Sequence, residues 1–371
     1  MRSTKALRFS VLAGVITAAG CGGGGGGSSA ALPDGKFLFT GSMTQPRMDF
    51  TATRLADGRV LVVGGSNDPA ASASAEIYDP ESGTFASTGA PVASRCYHVA
   101  ALLPDGQVLV VGGALSVTAE LFDPLTGVFT ATDAPAKAHY NGTATAVDDD
   151  VLVMGGIDVG FEVADVERYE LASGLFFPEG SLLEARASHS ATRLPDGRIL
   201  VAGGTDHGNP LTTAELYDPA TGQSAPTGPL ASPRTGHSAT LLRDGRVLIV
   251  GGASTATVLA TAEIYDAVAG NFSPAGTMDE ARYAHAAALL PDGRVLVAGG
   301  YDFGRLAENS GILDGAELYD ARTGTFRPAA RLNDRRAFGA TVVLADGGVL
   351  AVGGLLDWSG SGVLAGAEVY R

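Results

Sequence analysis

The chain has 371 residues, 45% apolar and 18% charged, with 52 glycines and 18 prolines, a balance that excludes a disordered polymer. Its 25 basic and 40 acidic residues leave a net charge of −15, the wrong sign for neutralising phosphates, which argues against nucleic acid and anionic lipid as partners. Two cysteines cannot build a disulfide framework, and beyond the N-terminus no apolar run reaches the ~18 residues needed to cross a bilayer.

Residues 1–20 combine a basic start (Arg2, Lys5, Arg8) with an apolar stretch from Leu7 to Ala19, the pattern of an export signal. Ala18, Ala19 and Gly20 directly before Cys21 resemble the lipobox of bacterial lipoproteins, which implies cleavage before Cys21 and acylation of that residue. Residues 21–35 then read as the lipidated cysteine and a tether, since Gly22 to Gly27, Ser28 and Ser29 have little to bury and maximal backbone freedom. A tether of this length holds the body on the order of 20 Å from its anchor. The expected location is the cell envelope, on the extracytoplasmic side of a bacterial membrane, with the lipid as the sole membrane contact. Loss of the signal removes three basic residues, so 22 against 40 gives −18. Cys96 is then the only cysteine not expected to carry lipid.

From residue 36 onward one unit recurs. A Gly-Gly pair after an apolar run begins at Gly64, Gly112, Gly155, Gly203, Gly251, Gly299 and Gly353, spaced 48, 43, 48, 48, 48 and 54 residues apart. Segments such as "ALLPDGQVLVV" (101–111) before each pair have the form of a hairpin: apolar residues, an Asp-Gly turn, then a branched apolar run. After each pair come a variable loop, a strand such as "AEIYD" (75–79) or "AELYD" (214–218), a Gly turn and usually a Phe. Each unit therefore predicts four short strands.

Four antiparallel strands with these Gly-Gly and Tyr-Asp-Pro-like signals at a period near 50 resemble the kelch repeat, which implies an all-β propeller over 36–371. Kelch units commonly carry a Trp near the fourth strand; here Phe85, Phe129, Phe176, Phe272 and Phe326 stand there, and Ser224 once. Each of Phe85, Phe176, Phe272 and Phe326 precedes the next Gly-Gly by 27 residues, and Phe37 precedes Gly64 by the same 27. The last unit ends after its third strand, "AEVYR" (367–371), so residues 36–40 are expected to supply the missing fourth strand. That predicts seven blades in a ring closed by the N-terminal strand.

Strands a to d of each blade run outward from the axis. The a–b and c–d turns, "PDGR" and "DPxTG" in form, share one face and look like scaffold. The b–c loops share the other face and run from five residues (114–118) to fifteen (301–315), and variation in repeat proteins collects on the binding face. That face also receives "RxxH" before strand a: Arg95 and His98, Arg186 and His189, Arg234 and His237, Arg282 and His285. Arg47 and Arg336 keep the Arg, Phe50 and Gly339 replace the His, and His139 aligns with the Arg in blade 3. A Glu recurs near the start of strand c, so the first reading of each Arg is a partly buried ion pair tying strand a to strand c. The histidines admit a metal reading, but recurrence once per blade favours a structural one.

Two further resemblances bear on chemistry. "CYHVAALLPDGQVLVVGG" (96–113) resembles the Tyr-His copper motif of copper radical oxidases similar to galactose oxidase, which would make Tyr97 and His98 the matching ligands. That chemistry also needs a Cys crosslinked to a Tyr, and Cys96 and Tyr140 lie near such positions but out of register. Sialic acid mutarotases are kelch propellers too, without a residue motif that carries over. The loops hold "DxG" at Asp158, Asp206 and Asp302; calcium would need several such loops to converge, and turn chemistry is the simpler role.

The two longest loops carry Tyr301, Phe303, Arg305, Asn309, Asp357 and Trp358, and the blade-4 loop carries Asp206 and His207. Aromatic and Arg anchors on loops suit recognition of a protein or a glycan. The sequence thus leads to a lipid-anchored, monomeric, noncatalytic binding module needing no cofactor. A carbohydrate-active enzyme at the axial mouth (a copper oxidase or a sugar mutarotase) and a structural cell-surface protein are the alternatives.

Overall fold

The computed structural model describes residues 35–66, 73–114, 116–306, 309–358 and 362–371; the expected export signal, Cys21 and all but the last residue of the expected tether lie outside them. Each repeat forms four antiparallel strands hydrogen-bonded in the order a-b-c-d, as in blade 1: Thr51–Arg54, Val60–Val63, Ala75–Asp79 and Thr84–Ser87. Blades 2 to 6 occupy 99–131, 143–181, 190–226, 238–277 and 286–328. Blade 7 takes Ala340–Val343, Val349–Val352 and Ala367–Tyr370 from one end of the sequence and Phe37–Phe39 from the other. Phe37 pairs with Tyr370, Leu38 with Val369 and Phe39 with Glu368. The inner strands neighbour one another in ring order, blade 7 beside blade 1. The fold is the seven-bladed all-β propeller that the repeat predicts, closed by the N-terminal strand.

The strand sequences match their depth. Strand b, such as Val108–Val111 or Val247–Val250, is packed by neighbouring strands and blades on both faces and reads as an unbroken branched apolar run, buried throughout. Strand a sits where the blades converge and carries small residues, for example Ser190–Arg193 and Ala286–Leu289. Between strands c and d an aromatic pair repeats: Tyr78–Phe85, Phe122–Phe129, Tyr169–Phe176, Tyr265–Phe272 and Tyr319–Phe326, with ring centroids 4.8–5.0 Å apart. Phe37–Tyr370 makes the same pair at 5.1 Å across the ring closure. Such a contact contributes about 0.5–1.5 kcal/mol beyond its buried area. Phe thus replaces the usual Trp with a tilted ring pair that has no N–H to satisfy.

The Gly-Gly pairs are set by close approach between blades. Their first members have φ of 56–65°, and a Cβ there would run into backbone of the next blade, mostly the carbonyl of the RxxH Arg. The second members donate into the same gap, as Gly65 N–H does to the Arg95 carbonyl at 2.9 Å. On the turn face, Asp57, Asp105, Asp196, Asp244 and Asp292 each accept from the backbone N–H two residues on, and Asp79, Asp123, Asp218, Asp266 and Asp320 do likewise in the c–d turns. This face is self-contained turn chemistry.

Candidate functional site

Seven buried pairs tie the start of each strand a to strand c. The Arg47 guanidinium donates to the Gly64 carbonyl at 2.7 Å and to Glu76 at 2.8 Å; Arg95–Glu120, Arg186–Glu215, Arg234–Glu263, Arg282–Glu317 and Arg336–Glu368 repeat the arrangement. In blade 3, His139 replaces the Arg, with Nδ1 2.6 Å from the Gly155 carbonyl and Nε2 2.8 Å from Glu167. Each Glu also accepts backbone N–H groups from the segment entering its blade, such as Thr44 onto Glu76 and Asn333 and Asp334 onto Glu368. A buried carboxylate bonded this fully is a framing element.

The histidines are spent in the seams between blades. His98 Nε2 lies 2.9 Å from Thr51 Oγ1, His189 Nε2 3.1 Å from Thr143 Oγ1, His237 Nε2 2.9 Å from Ser190 Oγ and His285 Nε2 2.9 Å from Ser238 Oγ. Every partner is the first residue of strand a in the preceding blade. Burial, aided by the nearby Arg, pushes all four imidazoles down to about 3, so they are neutral near pH 7.

The mouth itself is lined by the residue directly before the His, a column of which sequence reasoning singled out Tyr97 alone. Asp49, Tyr97, Asn141, Ser188, Gly236, Ala284 and Phe338 all have φ of 51–59°, a region that non-Gly residues rarely adopt. Their backbones are hydrogen-bonded from blade to blade: Tyr97 N–H to Asp49 at 3.0 Å, Asn141 to Tyr97 at 3.1 Å, Ser188 to Asn141 at 2.8 Å, Ala284 to Gly236 at 3.0 Å, Phe338 to Ala284 at 3.2 Å and Asp49 to Phe338 at 3.3 Å. Where blades 4 and 5 meet, the Thr235 hydroxyl reaches the Ser188 carbonyl at 3.5 Å. The ring is polar over blades 1 to 4 and apolar over blades 5 to 7. Its sequence signal was the column of unlike residues inside a recurring RxxH frame.

On the apolar side the two longest loops meet. Tyr301 lies 5.4 Å from Trp358 and 5.6 Å from Tyr283, Phe338 lies 6.1 Å from Trp358, and Phe303 edges Tyr301 at 6.4 Å. Tyr301 is buried, Phe303 and Asp357 are half-buried, and Trp358 keeps 43% of its surface exposed. Tyr283 and Phe338 belong to this cluster and were not foreseen, because nothing in their spacing links them to the loops. Arg305 is used up locally, bonded to Glu280 at 3.0 Å and facing Asp302 at 3.7 Å, so it staples its loop. Asn309 opens the short turn Asn309–Gly311 of that loop. Asp206 and His207, 2.8 Å apart, stand instead on a small hairpin of blade 4 that touches its blade-3 counterpart through Gly208 N–H and Glu162.

The DxG segments are turns. Asp158 and Asp206 sit in hairpins closed by Val159–Gly160 and His207–Gly208 at positive φ, and Asp302 caps a 3-10 turn by accepting from Gly304 N–H. Among the described residues, no group of three or more His, Cys, Asp and Glu side chains comes together to hold a metal. Of Tyr97 and His98, the copper-matching pair, the imidazole is taken by Thr51 and the phenol faces the buried Asp49 carboxyl. Cys96 is a buried free thiol that burial and Asp49 push up to about 11. The described donor set does not fit copper.

None of the curated proteins compared with the chain matches it. A solved fungal alcohol oxidase of the AA5 family, in complex with copper, is similar to it with a TM-score of 0.73 and 16% identity over 91% of this chain and 76% of that one. At that identity the likeness is one of fold. The kelch motif model matches residues 51–87, 186–228 and 282–333, which cover the strands of blades 1, 4 and 6. The chain is thus a seven-bladed β-propeller that carries kelch motifs in three of its blades.

Proposed function

We propose that this propeller is a noncatalytic binding module that takes a protein or glycan on its b–c loop face, displayed at the cell envelope by lipid on Cys21. The observation that carries the reading is the aromatic cluster joining the loops of blades 6 and 7, with Trp358 at its exposed edge. Ordered aromatic side chains offer large contact area at little entropic cost. The blade-3 hairpin adds Val159 and Phe161, exposed by 88% and 67%, and the blade-6 loop adds exposed Leu306. These side chains stand on the face whose loops vary, while the opposite face repeats the same turn.

The test is binding of the purified chain to cell-wall glycan fragments and to envelope membranes, with and without Trp358→Ala. The reading expects the substitution to weaken binding about tenfold or more while leaving the melting temperature within a degree or two. Equal binding by both proteins would contradict it. Oxidation of sugar alcohols or interconversion of sugar anomers by the purified chain would move the assignment to an enzyme.

A further inference from the structure

The polar half of the mouth holds side chains that the fold itself leaves unsatisfied. Asp49 is 2% exposed and Asn141 4%, yet Asp49 Oδ1 and both amide atoms of Asn141 lack a hydrogen-bond partner among the described residues. A buried polar group without a partner is costly to leave unmet, and here three such atoms occur two blades apart on one ring. Tyr97 stands between them in the ring, its phenol facing Asp49 and its ring edge-on to Tyr140 at 4.9 Å.

The charge that Asp49 meets is one-sided. The ionisable groups facing it are the Tyr97 phenol, the Cys96 thiol and, from blade 6, the Tyr283 phenol; none is cationic. The neighbouring Arg47 turns its guanidinium to Glu76. Without a counter-charge, burial pushes the Asp49 carboxyl up to about 7. The next ring member on its other side, Phe338, and Tyr283 beyond it present aromatic surface, which favours a cation over an anion.

We infer that the axial mouth binds a small ammonium group carrying a nearby oxygen acceptor: the ammonium takes Asp49 Oδ1 and Asn141 Oδ1, and the ligand oxygen accepts from Asn141 Nδ2. A free amino alcohol and the amino terminus of a peptide share this chemistry. Entry is over Tyr97, which is half-buried at the rim. The site is independent of the loop-face reading, since none of its polar groups belongs to a b–c loop.

The experiment titrates the purified full chain with ethanolamine, glycinamide and ethylene glycol by calorimetry. Saturable binding of ethanolamine, of glycinamide or of both is expected, identifying the source, with none for ethylene glycol. Asn and Gly tolerate φ near 55°, so Asp49→Asn and Asn141→Gly keep the ring; the first is expected to lose at least tenfold in affinity and the second severalfold. Ethanolamine binding by the natural chain should tighten about tenfold from pH 6 to pH 8, as a carboxyl at about 7 ionises, and Asp49→Asn should flatten that profile. If Asp49→Asn does not fold, Asn141→Gly and the pH profile decide alone. Absence of amine binding, equal binding of ethylene glycol, or a folded Asp49→Asn that binds as tightly would overturn the inference.

Discussion

His139 Nε2 lies 2.8 Å from Glu167 Oε1 while its Nδ1 lies 2.6 Å from the Gly155 carbonyl, so one imidazole spans the two acceptors that a guanidinium spans in the other six blades. The segment from this residue to the first Gly of the pair is 16 residues long here against 17 from Arg47 to Gly64, and the shorter side chain suits the shorter segment. The neighbouring His pulls the Glu167 carboxyl below its usual range despite burial.

Removing the donor side of these pairs leaves a buried carboxylate without its partner. His139→Leu and Arg234→Ala are each expected to destabilise the propeller by about 3–5 kcal/mol, read as a lower urea midpoint. Adding Glu263→Ala to Arg234→Ala should recover part of the loss, because the stranded charge goes with it. A midpoint unchanged in either single variant would refute a framing role for that pair.

The seam histidines make the fold acid-sensitive. An unfolded His takes up its proton below about 6.5, whereas the folded ones resist until about 3. The histidines' contribution to stability is therefore complete above about pH 6.5 and falls by roughly 1.4 kcal/mol per pH unit for each His on acidification. Asp49 acts in the opposite sense: its raised folded value, about 7, gives stability that is lost as pH rises through 7, but one group opposes four. His237→Phe, which copies the Phe50 of blade 1, should reduce the slope between pH 6.5 and 5 by about one proton. Urea midpoints at three pH values test this, and an unaltered slope would count against the seam assignment.

Phe37 is 6% exposed and Phe39, two residues on, 63%. Phe37→Ala should cost about 3–5 kcal/mol, because it opens the pair with Tyr370 that closes the ring, while Phe39→Ala should be close to neutral. Thermal melts that rank the two equally would argue against closure through this strand.

Blade number, strand order and closure were legible because a propeller repeats its physics: each Gly-Gly marks a backbone approach, and the 27-residue interval from Phe37 to Gly64 placed the closing strand before any geometry was known. The Arg–Glu pairs were legible for the same reason. The mouth was not, since Asp49, Asn141 and Phe338 share a backbone conformation and no side-chain type. Nor were the fates of Arg305 and Trp358 separable in sequence; Glu280 lies 25 residues from Arg305, and its claim on that side chain exists only in the folded blade 6.

Ala284 occupies the left-handed ring at φ 51° where blade 5 has Gly236. An L-residue there costs about 1–2 kcal/mol, so Ala284→Gly should raise stability by roughly 1 kcal/mol after the entropic cost of glycine. A lower urea midpoint would show that the Ala284 methyl, buried at the mouth, contributes more than its backbone costs.

The division of labour between the two faces is tested most directly by photocrosslinking in cells. A photoreactive amino acid replaces Trp358 on the loop face in one chain and Leu125, 94% exposed in a c–d turn of the other face, in a second. The account predicts a discrete adduct with an envelope component from position 358 and none from position 125. Adducts of equal yield from both positions, or from position 125 alone, would contradict it.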